Sequence, residues 1–147
     1  MAILSDREIE KRLKSGSIIL KPFDPACLGA SGYDLRLDTS VTIPSGEHRL
    51  VATLERVELG DDVAGTLHIR SSLARAGIIA SLALVDPGFR GQLTISLLNA
   101  GAEPFSMNKN DKFVQLVLHR LTSKARGLYR GKYQDSQGIV NRRPETP

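Results

Sequence analysis

Gly91-Gln92-Leu93-Thr94-Ile95-Ser96-Leu97-Leu98-Asn99 follows the turn sequence Val85-Asp86-Pro87-Gly88. Leu93, Ile95 and Leu97 alternate with Thr94 and Ser96, the period-two pattern of a strand with one face buried. Outward from this stretch, similar β-prone runs recur at Ile18–Leu20, Tyr33–Leu37, Val41–Ile43, Arg49–Val57, Gly65–Ile69 and Phe113–Leu118. Turn residues divide them, as at Ile43-Pro44-Ser45-Gly46. Many short strands at near-regular spacing predict an all-β chain folded as a distorted barrel or jelly roll. At the front, Ser5 and Glu8 form a capping-box pattern, and Ile9 and Leu13 follow at i, i+4. This predicts a short N-terminal helix that Ser15-Gly16 ends. From Arg120 onward the alternation stops, so residues 120–147 read as a C-terminal arm on a single domain spanning 1–147.

Composition narrows the chemistry. An apolar fraction of 41% with 24% charged residues is ordinary for a globular protein. No apolar run reaches the ~18–20 residues of a membrane span, and the opening MAILSDREIEKRLK lacks the h-region of a signal peptide. The lone Cys27 cannot form an internal disulfide, which fits a reducing cytoplasm. His48, His68 and His119 are scattered and no Cys-x-x-Cys exists, so the ligand set of a zinc nucleobase deaminase is missing. The whole net charge of +4 lies in the last 24 residues, where Lys124, Arg126, Arg130, Lys132, Arg142 and Arg143 face only Asp135 and Glu145. Such a tail suits a polyanion, or simply keeps the protein soluble. A nucleic-acid reader would need stacking aromatics, yet aromatics are 5% of the chain and Trp is absent, so nucleic acid ranks last among partners.

Four stretches place polar groups inside strand-like sequence. In Ser31-Gly32-Tyr33-Asp34-Leu35-Arg36 an acid and a base share one strand face, where an exposed ion pair is the plain alternative to function. Arg70-Ser71-Ser72-Leu73-Ala74-Arg75 offers charge-assisted donors to phosphate oxygens, or else an N-cap at Ser71 or Ser72. Asp86, before Pro87-Gly88-Phe89, either shapes a turn or activates a water beside an aromatic that packs on a sugar. Gln115, within Phe113–Leu118, either faces solvent or aims its amide at a ligand.

Taken in order, these stretches resemble the motifs of the trimeric dUTPase and dCTP deaminase superfamily, from about Leu4 to Arg143. Ala52-Thr53-Leu54-Glu55 and the tail Tyr129-Arg130-Gly131-Lys132-Tyr133-Gln134, with Gly138, extend the resemblance. It implies a β-clip type of barrel or jelly roll, a homotrimer with sites between subunits, and Mg²⁺ carried on the triphosphate rather than held by the protein. Arg70 and Ser71, with Ser72 beside them, match phosphate-binding positions, as does Gln115 near the phosphates. Asp34 falls in the first motif. Tyr129, Arg130, Lys132 and Gln134 match an arm that closes over a deoxyuridine or deoxycytidine triphosphate.

The two branches of the superfamily part at Ser96. Deaminases carry a proton-shuttling glutamate at that place, and a serine neither binds nor releases a proton near neutral pH. Ser71 and Arg75 match the other deaminase residues. Asp86 matches the dUTPase aspartate that activates water and bonds the sugar 3′-hydroxyl, and Phe89 takes the place of the tyrosine under the deoxyribose. The base-reading stretch Gly77–Asp86 is two residues shorter than in the bacterial enzymes it resembles. On these residues the sequence favours dUTP hydrolysis to dUMP and pyrophosphate. A dCTP deaminase, a bifunctional enzyme and a non-catalytic nucleotide binder are the alternatives.

Overall fold

Ser5 caps the first helix by accepting from the Glu8 backbone N–H at 3.4 Å, and Gly16 closes it in the left-handed region at φ 76°. A computed structural model describes residues 2–145, and this helix, α1, covers Asp6–Ser15. Glu8 turns away from the cap and pairs with Arg12, whose guanidinium also grips Asp62 with two bonds of 2.8 and 2.9 Å. That fork ties the helix to the chain just before the edge strand Val63–Ile69.

Ten strands follow: β1 Ile18–Lys21, β2 Leu28–Gly29, β3 Gly32–Arg36, β4 Val41–Ile43, β5 His48–Leu59, β6 Val63–Ile69, β7 Ile78–Ser81, β8 Arg90–Asn99, β9 Phe105–Met107 and β10 Lys112–Arg120. They form three antiparallel sheets, ordered β1-β5-β8-β7, β2-β3-β10-β6 and β4-β9. The sheets do not close, so the architecture is a jelly roll rather than a continuous barrel. Each expected run is a strand, and β2, β7 and β9 are strands where no run was expected. The inward residues of β8, Ile95 and Leu97, meet Val51, Leu35, Phe113 and Leu116 in one apolar core. A five-residue helix, α2 (Ser71–Arg75), joins β6 to β7.

One polar cluster crosses this core. Glu55 is fully buried, and its carboxylate accepts from Arg36 Nε at 2.7 Å and from the Arg36 backbone N–H at 2.9 Å. The Tyr33 hydroxyl lies 3.4 Å from the same carboxylate and accepts from the Asp24 backbone N–H at 3.0 Å. Arg36 also donates to the Pro22 carbonyl at 2.9 Å. Burial opposes the Arg36 charge more than any other single influence, but the bond to Glu55 and the attraction of nearby negative charge together exceed it and raise the guanidinium's proton affinity. Burial likewise pushes the Tyr33 phenol up. Asp34 and Arg36 therefore do not pair with each other; Arg36 faces Glu55, and Asp34 faces Arg70 at 3.4 Å.

Removing one partner of a buried pair strands the other charge, a loss of ~3–5 kcal/mol. Glu55→Ala is expected to lower the urea midpoint accordingly, with the slope of the transition unchanged. An unaltered midpoint would show that the cluster contributes nothing net.

Candidate active site

The side chains that the sequence marks fall into two groups. Asp34 on β3, Gln115 on β10 and His68 on β6 stand directly opposite one another across three strands, and so share one sheet face. Arg70, next after β6, reaches Asp34 and half-exposes its guanidinium. Gln115 packs its amide against Gly32, where an added Cβ would come within 3.2 Å of it. Ser71, Ser72 and Arg75 lie exposed on α2. The helix is capped at Arg70 with no side-chain bond, so neither serine acts as the cap and both hydroxyls face outward.

The second group lines a cavity of about 710 Å³, within the size range of nucleoside and cofactor sites. Its floor is the β1-β5-β8-β7 sheet, through His48 and Leu50 of β5, Thr94 and Ser96 of β8, and Ser81 of β7. Asp86 and Phe89 form one wall. Asp86 starts a turn closed by the Phe89 N–H to its own carbonyl at 3.1 Å, with Gly88 at φ 83°. Asp86 therefore shapes the turn through its backbone, as the turn reading expected, and also lines the cavity. Asp34, Arg70, Ser71, Ser72, Arg75 and Gln115 all lie outside this lining. One chain does not unite the phosphate-type residues with Asp86 and Phe89.

The C-terminal segment roofs the cavity. Among its described residues it contains no strand, yet residues 129–140 lie along β8 of their own chain. The Gln134 side chain donates to the Gly88 carbonyl and accepts from the Arg90 N–H, each at 2.8 Å. Ser136 forms a parallel bridge with Gly91, whose φ of 148° and missing Cβ admit the segment: a Cβ there would stand 2.8 Å from the Ser136 nitrogen. Gln92 Oε1 accepts from Gly138 N–H at 2.6 Å, and Thr94 Oγ1 accepts from Val140 N–H at 2.9 Å. Tyr129 meets Phe89 edge to face at 5.5 Å, so Phe89 is already covered by the arm. Of the basic side chains expected to meet phosphates, Lys132 pairs with Glu145 at 2.6 Å and Arg130 is exposed.

Sequence reasoning missed His48, Arg56, Asp135 and the anchors Gln92 and Thr94. Asp135 is a non-glycine residue at φ 58°, clamped by Arg90 and Arg56 at 2.7–3.2 Å. The signal for this clamp was only the lone acid amid the tail's bases.

The dCTP deaminase-like family matches residues 38–121, more than half of the chain. The chain belongs to that family. It is 43% identical to the dCTP deaminase of Thermococcus gammatolerans, over 94% of both sequences. It is 42% identical to that of Pyrococcus furiosus, over 94% of this chain and 95% of that one. Among solved structures, the dCTP deaminase of Agrobacterium tumefaciens superposes with a TM-score of 0.72 at 15% identity, over 82% of this chain and 49% of that one. The EIAV dUTPase gives 0.60 at 19% identity, over 79% and 97%. The fold is thus that of the dUTPase and dCTP deaminase superfamily, as the motifs implied. The relatives weigh toward the deaminase branch, whereas the sequence motifs had favoured dUTP hydrolysis.

The Asp135 clamp makes the roof pH-sensitive. Hydrogen bonds from Arg90 and Arg56 hold the carboxyl down to about 2. A depressed carboxylate stabilises docking above its unfolded value near 4 and loses that contribution as pH falls toward 2. Protease cleavage between residues 129 and 143 is expected to stay slow at neutral pH and to quicken between about pH 4 and 2. Asp135→Asn should quicken it at neutral pH, and equal protection in that variant would show that the clamp does not hold the arm.

Proposed function

We propose that the chain is a dCTP deaminase, which replaces the cytosine amino group of dCTP with a carbonyl oxygen, releasing ammonia and dUTP. The observation that carries this reading is similarity along 94% of the chain to relatives named dCTP deaminase, joined to a nucleoside-sized cavity on the sheet that bears Ser96. The base would lie toward Ser81 and Ser96, with the sugar against Phe89 and its 3′-hydroxyl on Asp86. Phe89 is buried at the cavity wall against Tyr129, so a sugar there would meet the edge of an aromatic pair.

The phosphates require Arg70, Ser71 and Arg75, which lie outside that cavity, so the complete site takes these residues from a second copy. The edge strand β7 supports assembly: Ile79 is 55% exposed and Leu84, just beyond it, 59%. Apolar groups on a sheet edge invite a partner. We take that assembly to be a homotrimer. The phosphate-side residues are mainly cationic or hydroxyl-bearing, and Asp34 is engaged by Arg70. This donor set fits Mg²⁺ arriving on the triphosphate better than a resident ion. The ion would neutralise phosphate charge there.

dUTP hydrolysis is a second reading. One observation favours it: among the described residues the Asp86 carboxylate has no bonded partner, leaving it available to orient a water. Incubation with Mg²⁺ and dCTP or dUTP, in separate reactions, decides between them. Ammonia from dCTP is the expected product. Pyrophosphate from dUTP with no ammonia from dCTP would install the second reading instead, and both products together would mark a bifunctional enzyme.

The shared site has its own test. Arg70→Ala and Asp86→Asn, each nearly inactive alone, should regain roughly a quarter of the activity when co-assembled at equal amounts, as random mixing in a ring of shared sites requires. No recovery on mixing would place the whole site within one chain.

A further inference from the structure

Most polar side chains lining the cavity are already committed. The Gln92 amide donates to the Thr53 carbonyl at 2.8 Å and accepts from Gly138. Thr94 Oγ1 bonds the backbone of Gly138 and Val140, and the Tyr133 hydroxyl accepts from the Arg143 N–H at 3.1 Å. What remains open to a ligand on the sheet floor is Ser81, Ser96 and His48. His48 Nδ1 lies 3.1 Å from Ser96 Oγ. The strand register explains the meeting: His48 faces Leu98 and Leu50 faces Ser96, so His48 reaches Ser96 along the diagonal between adjacent strands. Ser81 flanks Ser96 from the other side. Among the described residues, His48 Nε2 has no protein partner.

We propose that His48 and Ser96 act together as the proton-transfer unit for deamination of a cytosine ring bound in this cavity. The assignment rests on the deaminase reading and names the residues that would perform it. Deamination needs one group that takes a proton from water and gives it back to the departing nitrogen. A serine hydroxyl can hold and relay a proton but cannot store one near neutral pH, whereas an imidazole can. As water adds to C4, its oxygen forms the C–O bond and its proton passes through Ser96 Oγ to the neutral imidazole. The imidazolium then returns the proton, by the same hydroxyl, to the C4 amino nitrogen. The C–N bond breaks and ammonia leaves with its electron pair; the proton still on the C4 oxygen passes to N3, which took up the C4–N3 π pair when water added, so C4 keeps a carbonyl and N3 the hydrogen of uracil. No oxidant or other reactant enters.

Charged groups near His48 are Glu47, just before its strand, and Arg49 on it, paired with each other at 2.6 Å, and Asp86 and Arg142 across the cavity. Arg49 also donates to the His48 carbonyl at 2.9 Å.

Ammonia release from dCTP is to be measured across about pH 5 to 9 for the unmodified chain, His48→Gln, Ser96→Ala, Asp86→Asn and the double variant His48→Gln/Ser96→Glu. His48 is exposed, so its replacement leaves the fold intact. His48→Gln is expected to lose ~10²–10⁴-fold in kcat with KM little changed. The fall in rate on the acid side, where imidazole becomes protonated, should vanish in its residual activity. Ser96→Ala should lose much of the same rate. The double variant should recover activity, since a carboxylate on the Ser96 backbone both positions and stores the proton. Normal kcat and an unchanged pH profile in His48→Gln would overturn the proposal while leaving a deaminase. So would loss of the acid limb in Asp86→Asn alone, which would give the role to Asp86. If the unmodified chain releases no ammonia from dCTP, the deaminase reading fails and the dyad's role goes with it.

Discussion

A carboxylate sealed from water must find its counter-charge inside the protein, and Glu55 finds it on a different sheet. Glu55 belongs to β5 of the sheet that floors the cavity, while Arg36 belongs to β3 of the sheet that carries Asp34 and Gln115. The pairing of β5 with β8 breaks register between Ala52 and Arg56, and Glu55 sits inside that break. There the strand leaves its neighbour far enough for Thr53 to bridge to Leu37 and for Glu55 to reach across. Thr53 also accepts the Leu93 N–H at 2.9 Å, so the irregularity is stitched back to β8 by a side chain. Apolar packing alone would hold the two sheets together but would tolerate sliding. The directional bonds of Glu55 remove that freedom and set where both groups of functional side chains stand.

This arrangement keeps the two groups of side chains apart within one chain. The phosphate-type residues sit on the far end of β6 and on α2, and the nucleoside cavity sits on the other sheet. Under the proposed reading, an assembly that juxtaposes them would gain control over turnover through quaternary structure, because one chain would not align triphosphate and base. The exposed Ile79 and Leu84 beside the cavity mouth fit that requirement.

Strand existence was legible because alternation is a local property: Leu93, Ile95 and Leu97 declare an inward face whatever their partners. The helix was legible for the same reason, through Ser5, Ile9, Leu13 and Gly16. Pairing is not local. Asp34 and Arg36 signalled ion pairs to other parts of the chain without naming the partners, and only the packing of β3 on β5 gives Arg36 its buried Glu55. The arm showed no alternation, since its contacts use backbone amides and Gln or Asp side chains rather than buried apolar rows. His48 was missed because a histidine at the start of a strand has no signature until the register sets it beside Ser96. The motif positions themselves were readable. Which of them meet in one chain was not, because that depends on sheet order.

The docking of the arm has a consequence for how copies of the chain can exchange parts. The groups that receive it are fixed in the body of the fold: the bare Gly91, the Gly88 carbonyl, the paired guanidiniums of Arg56 and Arg90, and the side chains of Gln92 and Thr94. Every copy presents the same receptor, and every arm carries the same key in Gln134, Asp135 and Ser136. If the segment between Arg120 and Tyr129 released its bonds to Asp61, Asp62 and Pro87, an arm could seal either its own cavity or a neighbour's. The contacts made are identical in both, so hinge strain and the local concentration of neighbouring copies, rather than binding strength, select between them. In an oligomer, such reciprocity would make the lids common property of the assembly.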